Sequence, residues 1–179
     1  AVLSTHTAFD GFTFRDLTDE ILPIAAHWKA QGMAVDAIYT GYLGSFRQLE
    51  IVSQFFDQFK TPENLILIDP AMADNGALYA GFTPEFVQEM AKLCGKADII
   101  VPNLTEACYL LNIPYPGEDY TRADIQHILT ELGKLGAVTL LLLMHIVGAQ
   151  TGEKIALIAV HIAQRLETVL FAAVKEPVD

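Results

Sequence analysis

Two short apolar runs, Leu65-Ile66-Leu67-Ile68 and Ile99-Ile100-Val101, each stop abruptly at a polar cluster. The first meets Asp69-Pro70-Ala71-Met72-Ala73-Asp74-Asn75-Gly76, and the second leads through Pro102 into Asn103-Leu104-Thr105-Glu106. A short run that is apolar throughout, without alternation, reads as a strand buried in a parallel sheet. Parallel strands need long crossovers, usually helical, so this feature commits the chain to an α/β fold. In such folds ligands bind beyond the carboxyl ends of the strands, where both clusters lie.

The remaining pattern agrees. Strands are expected over 35–40, 65–69, 98–102 and 138–144, and helices over 19–31, 45–59, 84–94, 104–112, 122–135 and 152–175. Thr83-Pro84-Glu85 supplies an N-cap with proline at the first helical position, and Ser45-x-x-Gln48 has the form of a capping box. Gly32, Gly95 and Gly136 stand where helix C-caps belong. With 52% hydrophobic and 18% charged residues in 179, the composition suits one domain with apolar strands covered on both faces. No internal repeat or low-complexity linker interrupts the chain.

A net charge of −11 opposes binding to nucleic acid or an anionic membrane surface. It leaves room for an anionic small molecule held through a cation, helix N-termini and backbone N–H groups. Cys94 and Cys108 lack a C-x-x-C pairing and read as buried thiols of a reducing compartment. The five histidines lack the spacing of a zinc site on one helix. The apolar stretch 137–149 is shorter than the roughly 20 residues a bilayer span needs, and no basic leader region is visible. A cytoplasmic protein is expected.

The clusters admit two readings each. Asp69 and Asp74, at the end of a buried strand, can hold a hydrated magnesium ion, a hard cation that prefers oxygen ligands. Aspartate, proline, asparagine and glycine are equally the residues of an ordinary turn. Asn103 with Glu106 three residues later is a helix start of the capping-box kind, yet a helix N-terminus also receives anions. Thr40-Gly41-Tyr42-Leu43-Gly44-Ser45 forms a third strand-to-helix junction, where glycines allow close backbone approach and Tyr42 can lie against a flat ring. The chain has no G-x-x-x-x-G-K-[ST] loop, no G-x-G-x-x-G and no G-x-S-x-G, so Walker-type ATPases, dinucleotide-binding folds and α/β hydrolases lack support.

Taken together, Ser4-Thr5-His6-Thr7, Thr40 to Ser45, Asp69 to Tyr79 and Ala97 to Ala107 resemble the pyridoxal/pyridoxamine kinases of the ribokinase-like superfamily. The match follows family order through at least the first 135 residues. Hydroxymethylpyrimidine phosphate kinases share much of the pattern. The resemblance implies a three-layer α/β/α fold with a mostly parallel central sheet and ATP-dependent phosphorylation of the 5′-hydroxymethyl group of a B6 vitamer. It implies Asp69 and Glu106 as the acidic network around Mg2+, with Asp74 and Asn103 supporting it and the phosphates. Tyr79 falls beside the phosphates, His6 and Thr7 line the pyridine pocket, and Tyr42 is its aromatic wall. ATP as co-substrate, a possible monovalent cation and a homodimer complete the family picture.

The sequence departs from it in two respects. The glycine-rich G-T-G-D motif, source of the family's catalytic aspartate, is absent, and Gly148-Ala149-Gln150-Thr151-Gly152 is no equivalent. The family's glycine-containing first strand is also missing before Ala1. The expectation is therefore a single kinase domain over 1–179 lacking segments before Ala1 and between about 136 and 152. A non-catalytic nucleotide- or vitamer-binding homologue stands as the alternative.

Overall fold

Apolar β-branched runs become strands in this chain, and amphipathic runs between them become helices. The computed structural model describes residues 2–5, 9–117 and 120–135, with the backbone alone of 139–147, 154–162 and 171–174. In chain order the elements are β1 (Val2–Ser4), β2 (Phe14–Asp16), α1 (Thr18–Ala30), β3 (Ala37–Thr40), α2 (Phe46–Phe59), β4 (Leu65–Ile68), β5 (Ala73–Asp74) and β6 (Ala77–Leu78). There follow α3 (Pro84–Cys94), β7 (Ile99–Ile100), α4 (Leu104–Leu111), α5 (Arg122–Gly133), β8 (Thr139–Val147), β9 (Lys154–Ile162) and β10 (Phe171–Val174).

The main sheet runs β10-β9-β8-β7-β4-β3. β3, β4, β7 and β8 pair parallel, with Ile38 opposite Ile66, Ile68 opposite Ile100 and Ile99 opposite Thr139. The α/β class with a mostly parallel central sheet is thus as expected. Each parallel step moves one place in the same direction, and crossovers of one hand then set their helices side by side on one face. The contacts α2 to α3 to α4 follow that order.

Alternation along the strands shows which face this is. Ile38, Ile66, Ile68 and Ile100 are buried beneath the helices. Tyr39 and Leu65, on the opposite face, are 62% and 45% exposed. Among the described residues, therefore, helices cover one face of β3 and β4. The helices meet it with stripes at helical spacing: Leu49, Val52, Phe56 and Phe59 from α2, Phe86, Met90 and Leu93 from α3, and Ile125, Leu129 and Leu132 from α5. Cys94 and Cys108 lie in the same core as free thiols, and burial pushes Cys94 up to about 12.

Helix ends follow the sequence signals with two adjustments. Thr83 caps α3, and Asn103 and Thr121 form full capping boxes with Glu106 and Asp124. Ser45 Oγ caps α2 by accepting from the Gln48 N–H at 3.2 Å. The Gln48 side chain, however, accepts from the Gly44 N–H at 2.8 Å, one residue beyond a standard capping box. Gly32 takes the left-handed conformation after α1 (φ 67°), whereas Gly95 stays right-handed (φ −64°) because α3 runs straight into the next turn. Gly136 lies outside the described residues.

The expected helix over 152–175 is not formed. That segment contains β9, antiparallel to β8, and β10, antiparallel to β9, with Leu142 opposite Ala159 and Ala159 opposite Phe171. Its apolar positions satisfy a helical repeat, but Ile155, Ile158, Val160 and Ile162 are β-branched and favour the pleated conformation. β8 offers them a free ladder edge, and pairing with it satisfies their backbone groups. For the same reason β8 continues to Val147, three residues past the expected end.

At the amino ends of the strands, Asn64 is buried and fully used. It donates to Phe59 O at 2.7 Å and Val35 O at 3.3 Å, and accepts from the Thr61 N–H at 3.0 Å. Beside it, Asp98 accepts from the Ile66 N–H at 2.7 Å and pairs with Lys60 at 2.6 Å. This end of the sheet is closed by polar side chains and leaves the carboxyl ends to the site.

Candidate functional site

The segment after β4 folds back on itself. β5 and β6 form a two-residue hairpin, with Asp74 opposite Ala77 and Asn75-Gly76 at its tip. Both tip residues have positive φ, 49° and 79°, the pairing that Asn-Gly tolerates best. A Cβ on Gly76 would also lie 2.8 Å from the Tyr115 ring. The turn reading of this cluster is therefore correct as local structure.

The first turn of α4 then locks the hairpin to the end of β7. Asn103 Nδ2 donates to Ala73 O at 2.8 Å, and Thr105 Oγ1 accepts from the Gly76 N–H at 3.0 Å. Glu106 takes two backbone donors, the Met72 N–H at 3.1 Å on Oε1 and the Asn103 N–H at 2.8 Å on Oε2. The helix-cap reading of the second cluster is thus also correct. What the sequence leaves open, and the fold supplies, is that the cap and the turn are one structure.

Its electrostatics are unusual. Glu106 is 3% exposed. Burial pushes its carboxyl up to about 7, against the pull of the backbone donors from Asn103 and Met72, and the Asp69 charge adds to the rise. Burial likewise raises Asp69, opposed by a hydrogen bond from the Tyr39 hydroxyl at 3.0 Å. Tyr79, 44% exposed, has its phenol raised by burial and then by Asp74, Glu106 and Asp69. The charges of Asp69, Asp74 and Glu106 thus all bear on Tyr79, and that of Asp69 also bears on Glu106. A rim of concentrated, half-buried negative charge is suited to a cation and through it to an anion.

The donor set fits a hydrated magnesium ion. Asp69 Oδ2 is engaged by Tyr39, while Oδ1 takes no hydrogen bond among the described residues. Both Glu106 oxygens accept from backbone, which leaves lone pairs for a water more readily than for direct ligation. Asp74 is exposed and accepts from its neighbour's N–H and side-chain amide at 2.9 Å and 3.2 Å. Among the described residues no three His, Cys, Asp or Glu side chains gather as a self-sufficient metal cage. Magnesium does not require one, because it keeps waters and shares phosphate oxygens.

The third junction stands at the end of β3. Tyr42 is 46% exposed, lies against Phe82 with ring centroids 5.8 Å apart, and curls over Gly44. A Cβ on Gly44 would approach the Tyr42 hydroxyl to 2.8 Å. The loop is held from below by Gln48, buried to 1% exposure, which also donates to Thr18 Oγ1 at 2.7 Å and Asp16 Oδ1 at 3.3 Å. No contact described for Tyr42 joins it to the acidic rim. His6 and Thr7 lie outside the described residues.

Sequence reasoning misses Tyr39, Gln48 and Thr105. Thr105 and Gln48 stand inside the motifs already singled out, and their one-sided burial on helix first turns is a usable signal. Tyr39 has none, since its approach to Asp69 depends on strand register.

Comparison with known proteins agrees with this fold. A family model described as phosphomethylpyrimidine kinase matches residues 9–164. The pyridoxal kinase PdxY of Pasteurella multocida is 40% identical over 93 residues, half of this chain and 31% of that protein. A Bacteroides thetaiotaomicron structure, assigned to the phosphomethylpyrimidine kinases and solved in a form with pyridoxal, is 42% identical with a TM-score of 0.78. It aligns over 88% of this chain and 55% of its own. Pyridoxal kinase of Lactobacillus plantarum superposes with a TM-score of 0.76 at 25% identity, over 99% of this chain and 61% of its own. The chain thus spans about a third of the curated relative and somewhat more than half of the solved ones. With its α/β fold and its match over 9–164, the chain belongs to the phosphomethylpyrimidine kinase family, in the ribokinase-like group that includes the pyridoxal kinases.

Proposed function

We propose that this protein serves ATP-dependent phosphorylation of the 5′-hydroxymethyl group of a B6 vitamer. The observation that carries the reading is the 42% identity to a relative solved with pyridoxal. The acidic rim supports it from the side of chemistry. Phosphoryl transfer asks a protein for alignment and charge neutralisation more than for covalent chemistry.

On this reading Asp69 would hold Mg2+ and Glu106 one of its waters, while Asp74 and Asn103 would steady the loop beneath the phosphates. When bound there, Mg2+ would supply neutralisation of charge developing on the transferred phosphoryl group. Tyr79 flanks the phosphates, and Tyr42, with His6 and Thr7, lines the ring pocket. Thr105 and the Asn103–Glu106 cap keep the hairpin closed on α4, so the carboxylates stay aligned without reorganisation. No residue of this sequence is assigned the removal of the hydroxyl proton, since the family's G-T-G-D motif is not in it. A monovalent cation, a homodimer and a cytoplasmic setting belong to the same proposal, and so does a single kinase domain over residues 1–179.

The family model's own description favours a second reading, hydroxymethylpyrimidine or its phosphate as acceptor. A coupled assay of ADP formation with pyridoxal, pyridoxamine, pyridoxine and hydroxymethylpyrimidine decides between them. Turnover confined to the pyrimidine would replace the vitamer by it. Nucleotide binding with no turnover on any acceptor would leave a binding homologue.

A further inference from the structure

We infer that Tyr39 is a positioning residue for the Asp69 carboxylate, fixing the orientation in which it meets the divalent cation. The inference rests on the magnesium role proposed for Asp69. β3 and β4 run parallel with Tyr39 opposite Leu67. Asp69 therefore lies two residues further along the neighbouring strand, on the same face of the sheet. Such a diagonal neighbour is too far for a short side chain but within reach of an aromatic one.

The phenol spans that gap and donates to Asp69 Oδ2 at 3.0 Å. β3 grips the same residue a second time, because the Asp69 N–H donates to Thr40 O at 2.8 Å. Main chain and side chain of Asp69 are thus both anchored to one strand. With Oδ2 engaged by Tyr39, Oδ1 is the oxygen left to meet a cation. Packing does not account for Tyr39, which is 62% exposed. Leucine or valine would serve an exposed strand position equally well, but neither carries a donor to the carboxylate.

Tyr39→Phe keeps the ring and removes the donor. The measurement is binding of Mn2+ to the protein with a saturating non-hydrolysable ATP analogue, read from the free-ion electron paramagnetic resonance signal. Asp69→Asn is measured alongside, with thermal unfolding of each protein. Loss of a hydrogen-bond partner of a metal-holding carboxylate typically weakens binding ten- to a hundredfold, and an exposed partner belongs at the low end. Tyr39→Phe is expected to bind Mn2+ about tenfold more weakly. Its half-saturating Mg2+ in steady-state turnover should rise in parallel, with an unchanged KM for the acceptor and an unchanged Tm. If Asp69→Asn weakens Mn2+ binding and Tyr39→Phe stays within about twofold of the parent, the positioning role is wrong and the Asp69 reading stands. If neither substitution alters Mn2+ binding, the metal role of Asp69 falls, and the inference with it.

Discussion

Glu106 offers the sharpest test of the site, because its carboxyl is buried at the join between the hairpin and α4. Its folded value is raised from 4.5 to about 7. The native state therefore binds the proton more tightly than the unfolded chain does. Between those values the native state carries more bound protons, so stability falls as pH rises from about 4.5 to about 7 and is flat above. Working the two values through the linkage relation, the loss between pH 5 and pH 8 is about 2.5 kcal/mol. That is a large part of a typical domain's stability of roughly 5–15 kcal/mol.

Glu106→Gln removes the titration and keeps the shape. It also leaves one of two buried N–H groups, Met72 or Asn103, facing an amide NH2 instead of an oxygen. That costs about 1–3 kcal/mol at every pH. Urea unfolding of both proteins at pH 5, 6, 7 and 8, without divalent cations, separates the terms. The stability advantage of the parent over Glu106→Gln should shrink by about 2.5 kcal/mol across the series. An advantage that stays constant would mean Glu106 titrates as a solvated carboxylate, and the account of a buried acidic rim would be refuted.

Asp69→Asn should lower turnover roughly a hundredfold while weakening acceptor binding far less, because its charge matters most when phosphoryl charge is redistributed; steady-state kinetics with normal turnover would remove its metal role. Gly76→Ala should destabilise by about 2 kcal/mol or more, from its φ of 79° and the Tyr115 ring 2.8 Å from the new Cβ, as read by thermal unfolding. Asn64→Ala should cost about 2–3 kcal/mol through the loss of three hydrogen bonds made by a buried side chain. Since Asn64 sits at the opposite end of the strands from Asp69, nucleotide affinity at a temperature where the variant is folded should stay unchanged.

The relation of sequence to structure differs between the two halves of the sheet. From residue 35 to 135 local signals agree with one another: capped amphipathic helices alternate with short apolar runs, and every such element appears within a few residues of its expected place. Beyond Thr139 a helical repeat and a β-branched composition compete in the same residues. Only the presence of β8 as a partner resolves them, because a strand's backbone is satisfied by another segment and a helix's by itself. β1 and β2 escape notice for a related reason, being three-residue strands.

By itself the sequence determined the α/β class, the positions of both acidic clusters at strand ends and their caps and turns, since each depends on residues close in the chain. The tertiary structure alone decided that Glu106 closes on Met72, that Thr105 holds Gly76 and that Tyr39 reaches Asp69. Those contacts join residues about 30 positions apart, and their existence depends on parallel register and burial. Two ordinary-looking motifs become one half-buried acidic rim only when β4 and β7 lie side by side.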